Sequence, residues 1–194
     1  MGSASQWARD TFGDLAGELA DIIPACLVRA HERARSGQEG VHTQTLEAYG
    51  HGLHAVQYEE LAAGLEGFGE TLSLKGRKVV VVRGHPIYPL RYAKKNVPVT
   101  EARLRKGTGF RAELIRRYGP PPMQPAFDLD WGDLEESEAQ PDLDLLPEET
   151  RLVLVAYACS LEQGVMRIEW GSAELRSQDR RLLWHQHEPL TPGT

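Results

Sequence analysis

The sequence predicts an α+β protein in which N-terminal helices pack on antiparallel β-meanders. Three observations predict it. Apolar residues recur at helical spacing across residues 5–69. Two later stretches, 71–92 and 151–187, are rich in β-formers and broken by turn signals. Between them runs a proline-rich acidic segment that belongs to neither pattern.

Residues 5–36 read as helical, with Ser5 as a cap and Trp7, Phe12, Leu15, Leu19, Ile22 and Ile23 near helical spacing. Pro24 has no amide hydrogen and crowds the turn before it. One helix is therefore expected to end or kink there, and a second to run from it until Ser36-Gly37 stops it. His42 to Gly69 repeats the helical pattern through Leu46, Tyr49, Leu53, Val56, Leu61, Leu65 and Phe68. Gly50 and Gly52 are expected to divide it into two short helices.

The pattern then changes to strands at Thr71–Leu74, Lys78–Val82 and Ile87–Tyr92, separated by Lys75-Gly76-Arg77 and Arg83-Gly84-His85-Pro86. Pro86 and Pro89 cannot donate to a ladder, which suits the edge of a sheet. Such an edge either docks another chain or ligand or is guarded by its prolines against aggregation. Thr108–Tyr118 reads as one short helix ended by Gly119 and three prolines. From Pro120 to Glu149 there are ten acids and no Lys or Arg, the composition of a linker or solvated flap. Arg151–Ser160, Val165–Trp170 and Arg181–His187 form a second meander, too short to fold alone. The expected organisation is thus residues 1–119 as a helical and β-meander part with a basic middle, 120–150 as an acidic excursion, and 151–194 completing the same domain.

At 194 residues the chain can bury a sizeable core without a disulfide or a metal. Cys26 and Cys159 lie in separate apolar runs, which reads as core packing in a reducing, cytoplasmic compartment. The apolar runs are too short to span a bilayer, and residues 1–5 lack the basic-then-apolar order of a signal peptide, so no membrane partner is expected. A net charge of −6 argues against a nucleic-acid binder that uses its whole surface.

The distribution of charge matters more than its sum. Between Arg91 and Arg117 stand nine Lys and Arg residues, opposed by Glu101 and Glu113. Clustered cations attract phosphates by counterion release, and neighbouring aromatics can stack bases. Arg91, Lys94, Lys95, Arg103, Arg105 and Lys106, with Tyr88 and Tyr92 in support, are the candidate contacts to nucleic acid or an acidic partner protein. Neutralisation by the chain's own acidic segment and plain solvation are the two other fates open to these charges.

Histidine offers a different chemistry. His51 and His54 lie one helical turn apart, and His185 and His187 share one side of a strand, so either pair can supply two ligands to a metal. Two ligands do not complete a site, and the cofactor expectation is none. A divalent metal enters only under the rival reading, a metal-assisted hydrolase or nuclease drawing acids from Glu59, Glu60 or Glu169. A third reading is an interaction module that works as half of an operon-encoded pair.

Overall fold

The computed structural model describes residues 5–123 and 140–191. Its α+β fold is a mostly antiparallel six-stranded sheet in the order β1-β2-β3-β4-β5-β6, with helices on both faces. The strands are β1 (Glu70–Leu74), β2 (Arg77–Val82), β3 (His85–Ala93), β4 (Val153–Ser160), β5 (Gly164–Leu175) and β6 (Leu182–Pro189).

The helical layer begins with α1 (Gln6–Phe12), where the Ser5 hydroxyl accepts from the Ala8 amide as an N-cap. The first break falls at Gly13 (φ 63°), not at Pro24. α2 (Ala16–Val41) continues through Pro24 and past Ser36-Gly37, until His42 turns left-handed. Proline costs this helix one hydrogen bond and a steric clash. Pro24 sits on the buried face with Leu19, Ile23 and Leu27, and that burial outweighs the loss. α3 (Glu47–Gly64) is likewise a single helix. Gly64 lets it close on α2, since a Cβ there would collide with the Cys26 sulfur, whereas one at Gly52 would make ordinary contact with Ala34 at 3.8 Å. Close helix packing thus overrides the glycine penalty.

The hairpin turns follow the turn chemistry. Lys75-Gly76 and Arg83-Gly84 both take positive φ at both positions, the geometry that matches strand twist in two-residue loops. β3, however, is not at an edge. It pairs with β2 only at Val81–Pro86 and Val82–His85, then runs parallel to β4 from Ile87 to Ala93. The ladder to β2 stops where the prolines remove its donors, and the parallel ladder to β4 takes over. α4 (Phe110–Tyr118) belongs to the connection between these two strands.

Two cores result, one on each face of the sheet. Phe12, Leu19, Ile23 and Leu27 pack on Val155, Tyr157 and Trp170 on one side, with the Phe12 and Trp170 rings stacked at 5.1 Å. On the other, Leu114, Ile115 and Tyr118 pack on Leu90, Leu154 and Ala173. Leu143 and Leu146 join this second core, and the Tyr118 hydroxyl donates to both of their carbonyls at 2.6 and 3.1 Å. The end of the acidic segment is therefore packed rather than solvated; its residues 124–139 lie outside the described residues. No helix among the described residues is long and apolar enough to cross a membrane.

Candidate functional site

The first half of α3, the later residues of β3 and β4, and residues 105–111 wall a cleft of about 420 Å³. It lies beside the carboxyl ends of the parallel pair, a usual place for ligands in sheets with parallel strands. Its polar wall is Arg91, Arg105, Arg111, His51 and His54, with Glu47 as the carboxylate among them.

Arg91 is half-buried and held in place. Both ladders of β4 shift register here: Tyr92 is the extra residue on β3, between Arg91 and Ala93, and Met166 the extra residue on β5, opposite Ala158 and Cys159. A bulge leaves backbone groups out of the ladder. Arg91 Nε and Nη2 donate to the Cys159 carbonyl at 2.9 and 2.6 Å, and the guanidinium lies 5.5 Å from the Tyr49 ring centroid. Arg111, in the first turn of α4, is half-buried and lines a recess with Tyr58 and Tyr88. Its Nε is buried without a hydrogen-bond partner.

His54 is oriented from the core. The Tyr157 hydroxyl donates to Gln57 Oε1 at 2.7 Å, and Gln57 Nε2 lies 3.3 Å from His54 Nδ1. An amide nitrogen only donates, so Nδ1 accepts and the neutral ring carries its proton on Nε2. Desolvation, then the cations Arg111 and Arg77 and the neighbouring His51, hold the His54 imidazole below its ordinary pKa. Neutral His54 is thus a donor, and it adds no charge of its own near neutral pH.

The remaining anticipated residues divide. Arg91 and Arg105 meet His51 and His54 in one cleft, so halves of two separately anticipated sites converge. Lys94, Lys95, Arg103 and Lys106 are exposed outside its walls. Tyr88 is 4% exposed with its ring 5.8 Å from that of Tyr58, which leaves no open face for a base. Tyr92 is half-buried and donates to the Val97 carbonyl at 2.7 Å. Sequence reasoning missed the roles of Arg111 and Gln57, and it missed Arg180 and Arg181 altogether. Arg181 bridges Arg103, and Arg180 donates to the Arg105 carbonyl at 2.7 Å, so two more cations join the basic stretch. The Arg180-Arg181 dipeptide was the available signal, but nothing local ties it to residues 103–105.

The histidines of β6 are elsewhere. His185 Nε2 lies 2.7 Å from Glu174 and His187 Nδ1 2.7 Å from Glu169. Among the described residues no group of three or more His, Cys, Asp or Glu side chains is placed to hold a metal ion. The acids of the rival reading are engaged in ion pairs: Glu59 with Arg33, Glu60 with Arg29 and Arg33, Glu169 with Arg167. Burial would raise the Glu60 pKa, yet its hydrogen bonds from Arg33 and Arg29 hold it below the usual range.

One contrast organises the surface. Arg29, Arg33, Arg83, Arg117, Arg167 and Arg176 all pair with carboxylates. Lys75, Arg77, Arg91, Lys94, Lys95, Arg103, Arg105, Lys106 and Arg111 form no ion pair among the described residues. No family model, curated protein or solved structure matches the chain.

Proposed function

We propose that this is a cytoplasmic, non-catalytic binding protein whose basic face takes up nucleic acid through its phosphates. The observation that carries the reading is a run of cations: among the described residues Arg91, Lys94, Lys95, Arg103, Arg105, Lys106 and Arg111 form no ion pair with a carboxylate. Unpaired Lys and Arg keep their counterions until a polyanion displaces them, which drives binding by ion release. The two free, buried cysteines fit a reducing compartment.

The test is fluorescence anisotropy of labelled single-stranded and duplex DNA and RNA across a salt series. The expected result is an affinity that falls steeply with salt. Each cation removed by substitution at Lys94, Lys95, Arg103 or Arg105 should lower the log–log slope by roughly 0.7 on a single strand. No binding at low salt would overturn the reading.

A second reading has its own observation. Asp144 pairs with Arg117 at 2.7 Å, and Asp142 accepts from the Lys75 amide at 2.6 Å. An acidic peptide of this chain therefore lies against basic elements next to the cleft, which favours an acidic protein partner. Co-purification of an acidic chain, in place of nucleic-acid binding, would support it.

A further inference from the structure

We infer that the cleft between α3 and α4 receives a phosphomonoester, the terminal phosphate of a nucleotide, and so reads a phosphorylated strand end rather than internal backbone. The inference rests on the basic-face reading and commits the cleft to one chemical group.

Four features lead to it. The donors are restrained before any ligand arrives: Arg91 by the Cys159 carbonyl and the Tyr49 ring, His54 by Gln57, and Arg111 by its half-buried place beside Tyr58 and Tyr88. Little side-chain entropy remains to be lost on binding. The charge is unbalanced, because three guanidinium groups face one carboxylate, Glu47. An internal phosphodiester carries one negative charge, whereas a monoester with a second pKa near 6 approaches two at neutral pH. Arg111 is also short of a partner. Its Nε is buried without an acceptor, and a buried donor is costly until an acceptor such as a phosphate oxygen satisfies it.

The fourth feature is shape. Tyr157, fully buried, closes the cleft from the strand side, which suits a group with one substituent better than a backbone that must enter and leave. A second recess of about 290 Å³ shares His54 and Arg111 with the first and carries Phe110, half-buried, on its wall. A nucleotide with its phosphate in the cleft can rest its base on Phe110, an aromatic platform indifferent to base identity.

The test compares one labelled single strand carrying a 5′-phosphate, a 3′-phosphate or neither, by anisotropy. A nucleoside monophosphate and inorganic phosphate are added separately in thermal-shift assays. The expected result is at least about tenfold tighter binding of a phosphorylated strand. That preference should vanish in Arg111→Met and in Arg105→Ser; Arg105 is exposed, so its loss leaves folding intact. Lys94→Ser, outside the cleft, should weaken all strands alike. Equal binding of phosphorylated and unphosphorylated strands would overturn the inference and leave the basic-face reading standing. Stabilisation by the monophosphate or by phosphate, lost in Arg105→Ser, with no strand bound would keep the pocket and retire that reading. Stabilisation by neither, with no strand bound, would retire both.

Discussion

Replacing Arg91 by methionine tests its part in holding the fold together. The guanidinium makes two charge-assisted hydrogen bonds to the Cys159 carbonyl and lies over Tyr49, while methionine keeps most of the stem packing. A hydrogen bond to a charged group contributes about 1.5–3 kcal/mol, and the second bond to the same oxygen adds less than the first. The cation–π contact adds about 0.5–1 kcal/mol. Arg91→Met should therefore lose about 2–4 kcal/mol, a large share of the roughly 5–15 kcal/mol typical of whole domains. At about 2–4 °C per kcal/mol for a chain of this size, the melting temperature should fall by about 5–15 °C. The assay is urea denaturation followed by tryptophan fluorescence, with Trp170 in the core as reporter. The midpoint should drop with the slope unchanged. Arg105→Ser, exposed and without a side-chain hydrogen bond, should stay within about 0.5 kcal/mol of the parent. If Arg91→Met were as stable as Arg105→Ser, the Cys159 carbonyl would not depend on Arg91, and the account of the bulge would fail.

Acid should destabilise the fold in a window set by three histidines. Burial, above all, lowers the pKa values of His31, His54 and His85, with Arg35 and Arg91 adding at His31 and Arg111, Arg77 and His51 at His54, while at His85 the hydrogen bond to the Arg151 carbonyl opposes it in part. Their folded values lie below the unfolded value of about 6.5, so the unfolded chain binds more protons between the two. Stability is then complete above about pH 6.5 and falls as pH drops towards the folded values; a flat urea midpoint from pH 7 to 5 would contradict this. Two glycines give opposite outcomes. Gly37→Ala, in an open helical position, should gain about 1 kcal/mol, whereas Gly171→Ala would drive a Cβ into the β6 backbone at Gln186 and His187 and lose roughly 1–3 kcal/mol. Paired thermal melts check the signs.

Much of the fold was legible because its punctuation is local. Gly76, Gly84, Gly119 and the prolines after it mark ends that depend only on the residues beside them. The errors came where distant packing outweighs a local rule. Pro24 stays inside α2, and Gly50 and Gly52 inside α3, because the two helices bury each other and the sheet. The central position of β3 was hidden for the same reason: hairpin pairing is written in turns, but the parallel pairing to β4 joins segments some sixty residues apart. The cleft depends on that pairing, which brings Arg91 beside Tyr157 and under α3. Its basic and histidine members were visible singly, and their meeting was not. Gln57 carried no signal, since a buried glutamine linking Tyr157 to His54 looks like any helical polar residue.

The prolines of β3 acquire a second meaning when the chain is followed through synthesis. β4 is made only after the long connection that holds α4 and the acidic segment, so β3 leaves the ribosome as the outermost strand of an incomplete sheet. For that interval it is an edge, with the aggregation hazard that unpaired edges carry. Pro86 and Pro89, three apart and so facing opposite edges of the strand, each withhold a donor from a stray partner during this time, yet they do not prevent the later parallel ladder, in which Pro89 stands opposite Val155. Phe12 likewise must wait for Trp170, near the other end of the chain, before the first core can close. The nascent protein is thus committed late, and the residues that interrupt its finished sheet are those that guard the unfinished one.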